Sequence, residues 1–284
     1  ANSGYGKHGG PYDGGTLFGL LFHLLGGGEQ AKQGFVGHVM GGMGAISVAM
    51  AVACREKGVT LRTGAAVKSI RVQSGRARGV VLDDGTEIDA GLVVSNADPK
   101  RTYLGLVPAG ALDPEFLAAV RGIKMDGPCA KFNLVLSEEP ALNGADPAAE
   151  APQRAQFTLV PWLDCAQACY GEARRGRIAA ELWIDCLVPS LIDRSLAPPG
   201  RHVMTCFVQY LPYALAGTEW SPERERLPGQ LVQQIARFVP AVGRSLVASR
   251  LYTPADLEAV FGITEGNIFH GDLRPDQLFF MRPV

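Results

Sequence analysis

Gly41-Gly42-Met43-Gly44 stands directly before a run with helical apolar spacing, and there the backbone itself can do chemistry. Glycines at a helix N-terminus leave N–H groups open to an anion, or let a flat ring approach closely. A loop-to-helix packing turn is the alternative reading. A second candidate is Ser95-Asn96-Ala97-Asp98-Pro99, which closes the apolar run Leu92-Val93-Val94. A strand ending in small polar residues places them at the carboxyl edge of a sheet, where doubly wound folds bind ligands. An ordinary α/β layer with a well-capped turn carries the same pattern. The third candidate is His270, set between Gly266-Asn267-Ile268-Phe269 and Gly271-Asp272. A loop imidazole can serve as general acid or base, or simply occupy a turn.

Other chemistries find little support. Residues 4 to 9 spell GYGKHG, a GxGxxG string, but only three residues precede it and no helical pattern follows. The phosphate-binding turn needs a strand before and a helix after, so this run reads as a loop. The sequence holds no GxSxG elbow, Walker loop or HExxH. Six cysteines are present without a CxxC pair, and no histidines stand at finger spacing, so no metal site is expected and the thiols read as buried and reduced. Lys plus Arg is 27 against 28 for Asp plus Glu, a net charge of −1, which removes the basic footprint of a nucleic-acid binder. The most apolar run, Leu17 to Leu25, is far too short to span a bilayer.

The elements that must position these residues follow from periodicity. Gly44 to Lys57 reads as a helix with Ala45, Val48, Ala49, Val52 and Ala53 on one stripe, stopped by Gly58. Strands are expected over 59–62, 66–73 and 79–82, with a DG turn at Asp84-Gly85 and a return strand over 87–89. Residues 92–95 read as a strand buried on both faces of a parallel sheet, with Pro99 opening a helix. The character changes after about residue 108. Helices are expected over 114–122, 165–174, 223–239 and from Pro254 to 261 behind a Thr253 cap; strands over 129–136, 156–161, 178–185, 202–211 and 242–251. Leu17 to Leu25 reads as a short helix, and 137–154 as a surface excursion.

With those segments in hand, the chain resembles a known family. Gly41 to Ala45, EKGVTLRTGAAVKSIRV (56 to 72), GVVLDDGTEI (79 to 88) and VVSNADP (93 to 99) look like the phytoene-dehydrogenase-like flavoproteins, of one superfamily with carotenoid desaturases and flavin amine oxidases. SLAPPGRHVMTCFVQYLPYALAG (195 to 217) and GNIFHGDLRPDQLFFMRPV (266 to 284) resemble the branch named for a pyridine nucleotide-disulphide oxidoreductase domain. The resemblance covers nearly the whole chain. It implies an α/β, mixed α+β architecture: a partial Rossmann-like FAD-binding domain interleaved with a substrate domain of mixed sheet plus helices. Residues 1–40 would be a substrate-domain segment and loop, 41–108 part of the FAD domain, and 109–284 the substrate domain. The family's pyrophosphate loop and final flavin-contacting segment have no counterpart here. The chain, which begins Ala1-Asn2-Ser3 without methionine, therefore reads as the middle-to-late part of such an enzyme.

The resemblance also implies roles. Gly41, Gly42 and Met43 would lie near the flavin ring, Val67 would hold the adenine through its backbone, and Ser95, Asn96 and Ala97 would end the strand beside the adenosine. The implied activity is hydride transfer from an apolar small-molecule substrate to FAD. No catalytic residue is named. Phe207, Tyr210 and His270 are candidates to face the substrate, with core or turn residues as the alternative. The 17–25 helix could line a lipophilic entrance or touch a membrane surface, so a cytoplasmic or peripherally membrane-associated protein is expected. A non-catalytic lipid- or partner-binding protein on the same fold is the competing reading.

Overall fold

The structure, a computed structural model, describes residues 9–16, 37–125 and 129–282. The helix expected over 17–25 and most of the 4–9 glycine run lie outside them.

Helix α1 (Gly44–Glu56) forms where the spacing places it, but no residue of it is buried. Its Val48 is 65% exposed. After it comes an antiparallel meander of β1 (Val67–Gln73), β2 (Arg76–Leu82) and β3 (Glu87–Asp89). Gly79 lets β2 and β3 close up: at φ +142°, a Cβ there would lie 2.0 Å from the Ile88 carbonyl oxygen. Two expected strands do not form. Residues 59–62 and 92–95 have no ladder partner among the described residues, and Leu92 and Val94 stand exposed. An apolar strand is buried on both faces only when it lies inside a sheet whose two faces are both covered by other layers.

The chain then turns a tight corner. Asp98 is buried; its Oδ1 accepts from the Arg101 N–H, and its Oδ2 accepts from the Thr264 N–H and hydroxyl. Helical geometry starts at Pro99 and widens into a π-helical stretch, Arg101–Leu106. The Lys100–Glu265 ion pair at 3.0 Å makes a second tie to the same distant loop. Helix α2 (Pro114–Gly122) follows, capped by the Asp113 carboxylate.

The larger unit is a five-stranded sheet in the order β5-β6-β7-β4-β8, every pair antiparallel. Its strands are β4 (Cys129–Leu136), β5 (Gln156–Leu159), β6 (Trp183–Leu187), β7 (His202–Gln209) and β8 (Leu246–Tyr252). Side chains alternate across a strand, so each strand divides its residues between two faces. Ala130, Phe132, Leu134 and Leu136 of β4 point with Met204, Cys206 and Val208 of β7 into the core. Helix α5 (Trp220–Ala236) closes that core with Leu227, Leu231 and Ile235, four residues apart on one face.

Shorter helices complete the unit: α3 (Ala151–Ala155), α4 (Leu163–Arg174), α6 (Pro240–Ser245) and α7 (Pro254–Phe261). Strand β6 starts five residues later than expected. The backbone of 179–182 bonds instead to α5 side chains: the Leu182 N–H donates to Gln234 and its carbonyl accepts from it, while Gln230 donates to the Ala180 carbonyl. Strand β8 likewise starts late, because Pro240 opens a helical turn whose Ser245 hydroxyl donates back to the Ala241 carbonyl.

Candidate functional site

Three places hold most of the residues singled out by the sequence. The first is the glycine turn before α1. Gly41 and Gly42 sit at φ 82° and 81°, a left-handed pair that side chains resist. The Gly41 N–H donates to Asp193 Oδ2 at 2.6 Å. Asp193 also accepts from the Ser195 hydroxyl at 2.7 Å and the Ser195 N–H at 2.9 Å. Those bonds, Ser195 foremost, hold its carboxyl below the usual carboxylate range. A Cβ on Gly42 would stand 3.2 Å from Leu196. Met43, the first residue of the helix cap, is exposed. The glycine turn is thus pinned by a carboxylate that sequence reasoning missed. The Asp193-Arg194-Ser195 triplet, an Asx-type turn signal, was the available clue.

The second place is a half-open groove of about 400 Å³ beside the meander, whose walls include Ile70, Val72, Val93, Ser95, Ala97 and Thr102. The Ser95 and Thr102 hydroxyls lie 2.8 Å apart, and Ser95 Oγ accepts from the Ala97 N–H at 3.3 Å. Asn96 is exposed next to them. Val67 is not in this wall. It pairs with Leu82 at the far end of β1, beyond a bulge that separates it from Ser69.

The third place is the face of the five-stranded sheet turned away from α5. Strand register fixes its rows. One row runs Thr158, Asp185, Phe207, Lys131, Tyr252; the next runs Gln156, Leu187, Thr205, Asn133, Arg250. Val203, Val135 and Ala248 continue it. Most of these side chains are half-buried, while those of β4 and β7 on the opposite face are sealed. Lys131 Nζ sits 3.9 Å above the Phe207 ring, and burial lowers its pKa. Asp185 is buried, accepting from the Thr158 hydroxyl at 2.5 Å and from Gln209 at 3.3 Å. Burial raises its pKa, against the Thr158 bond. Thr205 donates to Asn133 Oδ1 at 2.5 Å, and the Arg250 guanidinium lies 4.9 Å from the Tyr252 ring centre.

Of the substrate-side candidates, Phe207 lies on this face. Tyr210 does not; it is a core residue. It is 1% exposed, packs edge-on against Tyr170 and Trp183, and donates its hydroxyl to the Gly9 carbonyl. Burial drives its phenol well above the usual range. His270 sits exposed in a left-handed turn at φ 54°, its N–H donating to the Asn267 carbonyl. Asn267 Oδ1 braces that turn by accepting from the Phe269 and Gly271 N–H groups. Among the described residues no group of three His, Cys, Asp or Glu side chains could hold a metal ion. Burial pushes the Cys129 thiol up to about 12 and Cys169 up to about 11, which removes both as nucleophiles.

Fold and site together define an α/β protein that joins a glycine-turn helix and small meander to an open-faced antiparallel sheet. A family model described as flavin containing amine oxidoreductase matches residues 11–252, and the chain belongs to that family. Its cofactor is FAD. The chain is 34% identical to a mouse pyridine nucleotide-disulfide oxidoreductase domain-containing protein 2, over 96% of this chain and 48% of that protein. It is 26% identical to a zeta-carotene-forming phytoene desaturase of Myxococcus xanthus, over 91% of this chain and 46% of the desaturase. A solved structure from Pyrococcus furiosus matches in fold, with a TM-score of 0.50 and 15% identity over 75% of this chain and 43% of that one. The chain spans about half the length of the curated relatives it matches.

The groups present fit the cofactor in part of its length. A left-handed glycine pair with no side chains gives close backbone access at one place. A groove with paired hydroxyls beside an exposed extended backbone gives a nucleoside-sized cleft at another. Among the described residues no helix is long and apolar enough to cross a membrane.

Proposed function

We propose that the complete protein takes a hydride from a C–H or C–N bond of a largely apolar substrate, and that this chain supplies the substrate wall and part of the flavin site. The observation that carries this reading is the second face of the five-stranded sheet. It is largely half-buried, and Phe207, Tyr252, Leu187, Val203 and Val135 stand on it among polar side chains such as Thr158, Asn133 and Thr205. Aromatic and aliphatic side chains on such a face contact the apolar part of a substrate and exclude water, while the polar groups between them fix its orientation. The bound flavin supplies the hydride acceptor.

In this reading Gly41, Gly42 and Met43 lie beside the flavin ring, with Asp193 acting as a positioning residue that fixes the turn. Ser95, Asn96, Ala97 and the backbone of Val67 lie on the adenosine side. The Ser95 and Thr102 hydroxyls offer a donor and an acceptor for a ribose. The phytoene desaturase relative, which acts on a hydrocarbon polyene by its name, supports an apolar substrate.

The test is a visible absorption spectrum, followed by anaerobic reduction. Two samples are compared: this chain, and the chain extended by its flanking coding sequence to the length of its relatives. Flavin bands in the extended protein that bleach with a polyene hydrocarbon, and not with a polar amine, are the expected result. A folded extended protein that takes up no added FAD would end this reading and leave the non-catalytic binder.

A further inference from the structure

Lys131 stands inside the open face, on β4 between β7 and β8. Its neighbours along the row are both aromatic, Phe207 on β7 and Tyr252 on β8. Its ammonium group rests on the Phe207 ring, and no carboxylate pairs with it among the described residues. A cation–π contact holds a cation in place without neutralising it.

The one acid on this face does not cancel the charge. Asp185 stands two strands away from Lys131, with Phe207 between them. Its oxygens already accept from Thr158 and Gln209. A second cation, Arg250, occupies the next row on the neighbouring strand, over the Tyr252 ring and without an ion pair among the described residues. The face therefore carries two unneutralised cations, one half-buried and one at the exposed rim, both seated on aromatic rings. An uncharged hydrocarbon gains nothing from such groups, and burying a cation without a counter-charge is costly. An anionic oxygen would complete the arrangement with a charge-assisted bond.

We infer that the substrate of this face is amphipathic: an apolar chain ending in an anionic oxygen group, a carboxylate or a phosphate, that Lys131 contacts while Phe207 and Tyr252 flank the first carbons and Arg250 guards the rim. This rests on the apolar-substrate reading above and narrows it to a chemical class. Lys131 is then the specificity-determining residue, separating an acid from the matching hydrocarbon or ester.

The experiment uses the flavin-loaded protein and three fluorescent or competing probes: cis-parinaric acid, its methyl ester, and hexadecyl phosphate as competitor. The acid should bind at least tenfold more tightly than the ester, and the phosphate should displace it. Lys131→Met, which keeps the stem over Phe207, should weaken the acid about tenfold and leave the ester unchanged. Lys131→Arg should restore the acid. Arg250→Met should weaken the acid by about twofold to threefold, as expected of a rim charge. Thermal midpoints of the variants confirm folding. Equal binding of acid and ester, or equal loss of both in Lys131→Met, overturns the anionic specificity while leaving the apolar-substrate reading intact. No binding of either chain overturns both. Failure of hexadecyl phosphate to displace the bound acid would overturn the phosphate and leave the carboxylate as the anion.

Discussion

The five-stranded unit and the segment from Gly41 to Val107 are similar in the apolar fraction of their sequence, but they use it differently. The first closes its own core: Phe132, Leu134, Met204, Cys206, Leu227, Leu231 and Ile235 are all sealed in one cluster. The second leaves its apolar residues outward. Helix α1 buries none of its residues, and Val94 in the extended run is 85% exposed. Only Ile70 and Leu82 of the meander are buried hydrophobics. The five-stranded unit thus holds its own stability, whereas the segment from Gly41 to Val107 is held by polar ties: Asp98 to Thr264, Lys100 to Glu265, and Gly41 to Asp193. Exposed apolar patches of this kind mark surfaces that other chain or ligand covers.

This contrast can be broken most sharply from the core side. Phe132→Ala empties a fully buried ring site between β4 and its neighbours and should cost about 3–5 kcal/mol. Leu231→Ala should cost about 2–5 kcal/mol. Urea denaturation of each variant gives the loss directly; a cost below about 1 kcal/mol for both would mean that the unit does not close as described. The largest effect on the other side is expected at Gly79, where a Cβ would strike the Ile88 carbonyl. Gly79→Ala should open the β2–β3 pairing at a cost of about 2 kcal/mol or more, read as lost amide protection in residues 79–89 with the five-stranded sheet still protected.

A pH test addresses the open face. The buried Asp185 holds its proton more tightly folded than unfolded, since burial raises its pKa. The folded state then binds more protons than the unfolded chain. This contribution to stability is full below the ordinary carboxylate value, near about 4, and is lost as pH rises through the raised value. Asp185→Asn, which keeps the shape and an acceptor for Thr158, should remove that part of the slope. Melting temperatures from pH 4 to 8 should fall less steeply by a few degrees in the variant; parallel curves would contradict the assignment.

The same division explains what the sequence could reveal. Strand β4, helix α2 and helix α7 fall on the expected residues because each carries its own local instructions: strict alternation in CAKFNLVL, an Asp113 cap, and a Thr253–Asp256 capping box. Elements fixed by distant partners were misplaced. The start of β6 depends on Gln230 and Gln234, fifty residues onward. The 92–95 run has the composition of a strand covered on both faces, but composition cannot supply the neighbouring strands or the covering layers. Tyr210 and Phe207 are three residues apart and looked equivalent; register and a turn after β7 sent one to the core and the other to the open face. The Thr158-Asp185-Phe207-Lys131-Tyr252 row was invisible in the sequence, because five strands separated along the chain must be in register before it exists. Asp193 escaped for the same reason, as its partner Gly41 lies 152 residues away.

Of the smaller effects, Thr253→Ala removes a capping box that the structure closes on both sides, with Asp256 accepting from the Thr253 N–H. A loss of about 1 kcal/mol is expected, seen as a shift of the denaturation midpoint without change in its slope.

The smallest effect is also the one that bears most on the contrast. Val48 and Val52 lie one helical turn apart on α1, both exposed, on the stripe that the sequence marks as a packing surface. In this chain Val48→Ser and Val52→Ser remove little buried area, so each should change stability by less than about 0.5 kcal/mol. If the flanking sequence of the longer protein covers α1, the same substitutions there bury a hydroxyl and lose a methyl contact, and each should cost about 1–3 kcal/mol. Denaturing both lengths of protein with the same variants therefore measures whether this helix is an outer surface or an interior one awaiting its cover. A large loss already in this chain would show that α1 is packed, and that the two regions differ less than their burial suggests.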